Sequence, residues 1–451
     1  MKIVNRSFAI LILLLAQAVF GENWRLSGRF VLPNVPIGNT ELGTNIRIIT
    51  INNTNHYSPM LGNVALAYAE ASTTATTSPR PIRVKRMTDY NGGGSSSSLA
   101  DVWANVGSAG STSRGFSFTG YAGLEEYNYE IGGTNLLDPI LGCFDAPCAS
   151  FTTLGVTGTV TPQIDVSYAS PNAKSHTDMV SDSVYDYFAY PDQTQGGKVT
   201  VVRRQHNSGP QSAGAWEVLG QPGISAVGTV AHVRLTRREG FPLRLVVAVE
   251  NGLLSSIQVF RLSPVVISGQ PPFAMWFQEG NTIFTSHVLL TIAPDSNAKY
   301  YAHPDLEINN AGIPFLLHTR KTTAAEGGMI QSTVKKLNAG EWQTVGNAFL
   351  GNSTSESNVC TDMTFNTFND RLHVGCINFF NIRPMVRVFN GNQWTGLGDI
   401  PAETGFSACV PLFPPADTSI THDRATNALF FAFSSCGNSD ASVVVVAKDL
   451  D

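Results

Sequence analysis

Apolar and polar positions alternate with a period of two along most of this chain, in strand-sized runs broken by Gly, Asn and Asp. Asn358 to Phe365 (NVCTDMTF) reads as a strand, Asn369-Asp370 as a turn, and Arg371 to Phe380 (RLHVGCINFF) as a second strand. Met385 to Phe389 reads as a third, and Asn390-Gly391 is a hairpin signal before Trp394. The same grammar gives Asp305 to Ile308, Ile313 to His318 and Ser332 to Leu337. Further upstream it gives His232 to Thr236, Leu243 to Val249 and Ile257 to Leu262. It also predicts Gln163 to Tyr168, Ser183 to Tyr190 and Lys198 to Arg203, and near the start Asn45 to Ile51, Asn63 to Tyr68 and Ile82 to Arg86. Ala71 to Pro79 and Gly92 to Ser98 are low-complexity insertions expected on the surface. No stretch carries the period of a long helix.

A marker punctuates these units. Trp24, Trp103, Trp216, Trp276, Trp342 and Trp394 are all the tryptophans of the chain. Each is followed four positions on by a glycine: Gly28, Gly107, Gly220, Gly280, Gly346 and Gly398. Phe151 with Gly155 makes a degenerate seventh copy. Four strands with their turns need roughly 40 to 60 residues, the size of one propeller blade, and seven such sheets absorb residues 22–451. A fold follows: an all-β, seven-bladed β-propeller of four-stranded antiparallel blades. The last unit (Ser419 to His422, Leu429 to Phe433, Val443 to Val446) lacks a marker strand, and the first marker strand, Asn23 to Phe30, lacks a unit. Pairing the two closes the ring and removes its exposed edges.

The Trp-x-x-(Leu/Val)-Gly blade ends, with turn-flanked strands such as Ile313-Pro314-Phe315-Leu316-Leu317, resemble the broad group of secreted β-propellers over the whole of residues 22–451. That resemblance implies architecture and no single activity, because such propellers include lectins, scaffolds, hydrolases and lyases. The Ser-x-Asp-x-Gly-x-Thr-Trp box of sialidases, the Gly-Gly doublets of kelch blades and the Trp-Asp ending of WD40 blades are absent.

Composition adds a compartment. Lys2 and Arg6 precede a thirteen-residue apolar core, Phe8 to Phe20, with small residues at Ala18 and Gly21. Residues 1–21 therefore read as a cleaved signal peptide, since thirteen residues are too few to span a bilayer. No membrane span is expected after cleavage, and the chain is read as secreted, extracellular and monomeric. Its formal net charge is −5, more negative once the leader's two basic residues leave, which argues against a nucleic-acid partner. Arg80 to Arg86 reads as one solvated strand face.

Six cysteines in an exported chain imply up to three disulfides. Cys360 and Cys376 fall on neighbouring strands, as do Cys409 and Cys436, which makes them the expected pairs; Cys143–Cys148 would close a tight loop. Asn52 and Asn352 are N-glycosylation sequons. The dispersed histidines suggest no metal site, and no cofactor is expected. A tryptophan at one place in every unit is what packing between blades demands, ahead of a sugar-stacking role.

Any site should lie at the axis, where the first strand of each unit converges. Those strands carry Arg47, Asp165, His232, Arg234, His303, Asp305, Asp362 and His422. Acids beside an Arg or His suit acid–base work on a glycoside or uronate. Three functions are open at this point. The first is recognition, with a glycan or extracellular protein held on the loop face or in the funnel. The second is a carbohydrate-active enzyme, hydrolase or lyase, using Asp165, Asp305, Asp362, Arg47, Arg234 or His303. The third is a structural component of an extracellular matrix or wall.

Overall fold

The second strand of each unit is apolar on both faces, as in Leu243 to Val249, so each sheet must be covered on both sides. A ring of radial sheets meets that demand, and a computed structural model of the chain has this arrangement. It describes residues 24–31, 46–50, 64–69, 80–89, 102–105, 109–112, 116–119, 140–143, 151–153, 159–160, 178–182, 184–205, 217–251, 254–268, 271–286, 288–289, 299–300, 304–321, 330–347, 350, 358–366, 368–378, 383–399, 407–408, 418–423, 427–436 and 442–450.

The protein is a seven-bladed β-propeller. Its seven innermost strands are Ile46–Thr50, Phe116–Thr119, Asp178–Ser181, Thr229–Thr236, Asp305–Ile308, Asn358–Phe365 and Thr418–Asp423. Each lies against the next, and the seventh lies against the first. Within blades 1 to 6 the four strands pair antiparallel in chain order, and blade 7 takes its outer strand from the start of the chain. A single parallel bridge, Gln331 to Asn358, joins blades 5 and 6 into one sheet.

The ring closes as expected. Arg25–Val31 is the outer strand of blade 7, with Gly28 opposite Val446 and Val31 opposite Val443. At the same seam Ile48 donates its N–H to Ser419 Oγ at 3.1 Å, and the hydroxyls of Thr50 and Thr421 lie 2.6 Å apart.

The core is a set of layers between blades. Leu235, Val247 and Phe260 of blade 4 pack on Tyr187 and Val201 of blade 3. Leu306 and Leu316 of blade 5 pack on Val246 and Val259 of blade 4. Phe430 and Ala432 of blade 7 meet Ile46 and Leu66 of blade 1. Close approach needs a missing side chain at Gly375 of blade 6, where a Cβ would stand 2.5 Å from the Phe431 ring of blade 7.

The marker now has a mechanism. The Trp24 indole donates to the carbonyl of Leu397, Trp103 to that of Ser27, Trp276 to that of Leu219 and Trp394 to that of Val345. Each acceptor immediately precedes a marker glycine, and each lies one blade back. The Trp24 bond joins blade 7 to blade 6, and the Trp103 bond joins blade 1 to blade 7. Gly220, Gly280 and Gly346 sit at positive φ beneath the next blade's indole. Trp24, Trp276 and Trp394 are at most 3% exposed, so these three are wedges between blades and offer no sugar platform.

Two expectations need correction. Phe151 lies on the third strand of blade 2 (Phe151–Thr153), and Thr159–Val160 is the outer one, so the degenerate marker does not mark a blade's edge. The innermost strand of blade 3 is Asp178–Ser181, with Asp178 where Asp165 was expected. Asp165 and His303 lie outside the described residues, as do Asn52, Asn352 and Trp216. Cys360 and Cys376 are cross-strand partners joined by a disulfide. The Cys143–Cys148 and Cys409–Cys436 pairings rest on side chains outside the described ones.

Candidate functional site

An innermost strand has one unpaired edge, whose N–H groups need acceptors wherever they are buried. In this chain the preceding blade supplies them. Asp178 accepts the N–H of Leu235 at 2.7 Å, and Asp305 that of Met363 at 2.7 Å. Asp362 accepts that of Ile420 at 3.0 Å, and Ser419 that of Ile48 at 3.1 Å. Side chains on successive inner strands thus bridge blades 3 to 4, 5 to 6, 6 to 7 and 7 to 1.

Blade 4 breaks the relay, because the corresponding side chain is Arg234, which can only donate. Asp305 responds locally by accepting the N–H of Leu306 on its own strand at 2.9 Å. The guanidinium then gathers the carboxylates of three blades. Arg234 Nε lies 2.8 Å from Asp305 and 3.8 Å from Asp178, and Nη2 lies 2.7 Å from Asp362. Asp362 follows a bulge at Thr361, where the register shifts between Cys360 and Asp362. Such a bulge re-aims the following side chain.

Strand alternation adds a fourth acid. Asp305 and Glu307 share one face of their strand, while Leu306 and Ile308 are buried on the other. Arg47, half-buried on blade 1, contributes its positive charge toward Asp178.

The electrostatics follow from burial. Asp178, Asp305 and Asp362 are at most 4% exposed. Burial pushes the Asp305 carboxyl up to about 7; the Arg234 charge opposes this, and a hydrogen bond with Asp362 adds to it. Glu307 keeps part of its surface exposed, yet burial followed by the charge of Asp305 pushes it up to about 8. Burial also raises Asp178, against the pull of Arg234, Arg47 and the Leu235 N–H. For Arg234, burial disfavours the charge, but Asp305, Asp362 and Asp178 outweigh it and hold the guanidinium ionised.

Of the expected residues, the structure brings together Arg234, Asp305 and Asp362, with Arg47 nearby. His422 lies apart, near Asn427 and the Phe368 ring. His232 is buried on the blade 4 strand, two residues before Arg234. Asp178, Glu307 and Ser419 were not anticipated. Glu307 was detectable by its two-residue spacing from Asp305. The apolar-polar pattern carried no signal for Asp178, because the strand it starts is only four residues long. Among the described residues no group of three His, Cys, Asp or Glu is arranged to hold a metal ion.

No protein-family profile matches the chain, and no curated protein matches it. Among solved structures it is similar to the polysaccharide lyase Uly1, at 11% identity over 95% of this chain and 100% of that one, with a TM-score of 0.45. It is also similar to the α-L-arabinofuranosidase Arb93A of Fusarium graminearum, at 8% identity over 95% and 98% of the two chains, TM-score 0.41. A third is the α-L-arabinanase of Penicillium chrysogenum, at 10% identity over 94% and 97%, TM-score 0.35.

Proposed function

We propose that this protein is an exported carbohydrate-active enzyme that cleaves a glycosidic bond at the axis of its propeller. One observation carries the reading: Asp305 and Glu307, two carboxyls that burial raises well above their ordinary range, lie in one cluster with Asp362, which Arg234 ion-pairs at 2.7 Å. A proton-donating carboxyl next to a carboxylate is the pair that glycoside cleavage uses. Glu307, the more accessible of the two protonated groups, is the proton donor to the leaving oxygen. Arg234 donates to Asp362 at 2.7 Å and fixes its position. The Cys360–Cys376 bridge suits an oxidising, extracellular setting.

The test is a panel of neutral and uronate-containing polysaccharides, read for new reducing ends and for unsaturated uronate products. Turnover should fall on the alkaline side near pH 8 as Glu307 loses its proton. Glu307→Gln should lower kcat by roughly 10²- to 10⁴-fold, the usual worth of a general acid. Undiminished turnover in that variant removes Glu307 from the mechanism, and no turnover on any glycan removes the reading.

A second reading, recognition without chemistry, is favoured by a different observation. Asp178, Asp305 and Asp362 each give an oxygen to a backbone N–H, three of these from the next blade. On this reading the cluster is a structural pin, and a glycan or extracellular protein binds the loop face. Binding on a glycan array, equal in wild type and Glu307→Gln and without turnover, would identify it.

A further inference from the structure

We propose that the seam between blades 4 and 5 is an acid-sensitive latch: a proton taken up by His318 loosens the seam, and with it the Arg234–Asp305 contact that spans it. His318 lies on the second strand of blade 5, two residues after Leu316, which packs on Val246 and Val259 of blade 4. Strand alternation turns both side chains to the same neighbour. The His318 ring is 2% exposed, and neither of its nitrogens has a hydrogen-bond partner. A neutral imidazole has one donor and one acceptor, and here both go unmet. An imidazolium would bury two donors and a full charge in the same place, at far greater cost.

The neighbours add to that cost. Arg320, two residues on, and Lys335, opposite Leu316 on the third strand, share the face of His318, and both charges oppose its ionisation. Thr333 stands opposite His318 in the ladder, and Gln331 opposite Arg320. Asp305 and Glu307 lie on the other face of the blade. Blade 4 meets His318's strand with the strand Ile283–Ser286, which pairs with Leu254–Val265. Ser255 and Thr285 are buried ladder partners there, on the face that Ile257 and Ile283 turn to Leu306 and Leu316. Glu250, the ladder partner of Ser255, is the acid at that end of blade 4. Burial first, then Lys335 and Arg320, push the His318 imidazole down to about 3.

The latch reaches the axis in one ladder step. Leu317, next to His318, is the strand partner of Asp305, and Arg234 of blade 4 holds Asp305 at 2.8 Å across the same seam. Blades that part at His318 therefore pull on that ion pair. The direction in pH follows from linkage. Because the folded ring holds the His318 proton less tightly than the unfolded chain, the stabilisation is complete above about pH 6.5 and is lost as pH falls from there toward 3.

The experiment compares the full chain with His318→Leu by denaturant unfolding from about pH 7.5 down to 4.5. Relative to the variant, wild type should lose about tenfold in its folding equilibrium constant per pH unit below about 6.5. His373, buried in blade 6 and lowered likewise by burial, is common to both proteins and cancels. Amide exchange read by mass spectrometry, corrected for its intrinsic pH dependence, should quicken in segments 254–265 and 314–321 of wild type before it does in segment 442–450. The variant should show no such lead. Parallel pH curves for the two proteins overturn the proposal, and so does exchange that quickens equally in all three segments. If His318→Leu does not fold, nitrogen-15 shifts of the wild-type imidazole decide alone: a neutral ring in the folded protein at about pH 5 is expected, and a charged one overturns the latch. No glycan enters these measurements, so their outcome is independent of the enzymatic reading.

Discussion

Arg234 is asked to balance more negative charge than one guanidinium can. Asp178, Asp305 and Asp362 surround it and Glu307 stands nearby. Burial raises Asp305 and Glu307 above their ordinary range, and the neighbouring acids add to the rise. Glu307 allows a clean measurement. Its carboxyl is raised from 4.5 to about 8, so the folded protein binds that proton more tightly than the unfolded chain does. The resulting stabilisation is complete below about pH 4.5 and is lost as pH rises through 8. Denaturant midpoints measured from about pH 5 to 9 should therefore fall for wild type relative to Glu307→Gln. Parallel curves would show that the folded state does not hold the proton. Arg234, Asp305 and Asp362 were legible in the sequence because they lie on strands with strong apolar alternation. Ser419 was legible as a strand residue, but its partner across the seam was not.

The blade is held to its neighbour by an indole and a glycine acting together. The glycine supplies a positive φ and an empty place, and the next tryptophan fills that place and bonds the carbonyl before it. Gly220 and Gly240 separate the two contributions, having φ of +77° and +81°. A Cβ on Gly220 would stand 2.8 Å from Trp276 Cδ1, whereas one on Gly240 meets nothing within 4 Å. Gly240→Ala should cost about 1 kcal/mol for the backbone alone. Gly220→Ala should cost about 3 kcal/mol, because the indole must also move. Urea midpoints of the two variants check this, and equal losses would mean that the indole contact contributes nothing. Alternation predicted the strands of blades 4 to 7 to within a few residues. In blade 2 it misplaced the marker, since Phe151 cannot donate the indole bond that defines the marker's position.

The ring depends on residues 25–31, which complete blade 7 by pairing with Ser442–Leu450. A chain beginning at residue 32 would leave that strand with an unpaired edge and would lose the Trp24 bond to Leu397. It should self-associate on size-exclusion chromatography and unfold at lower temperature than the full chain. A monomer of undiminished stability would show that closure is not what holds the ring. The sequence by itself determined most of the strands, the number of blades and the closing pair, because alternation recurs in each unit and the Trp–Gly spacing recurs six times. Which acids meet was decided only by the tertiary structure. Residues from three other blades and more than a hundred positions of chain converge on Arg234, in contacts that only the folded ring creates. No short-range pattern records such distances, so the chemistry at the axis is a property of the closed ring.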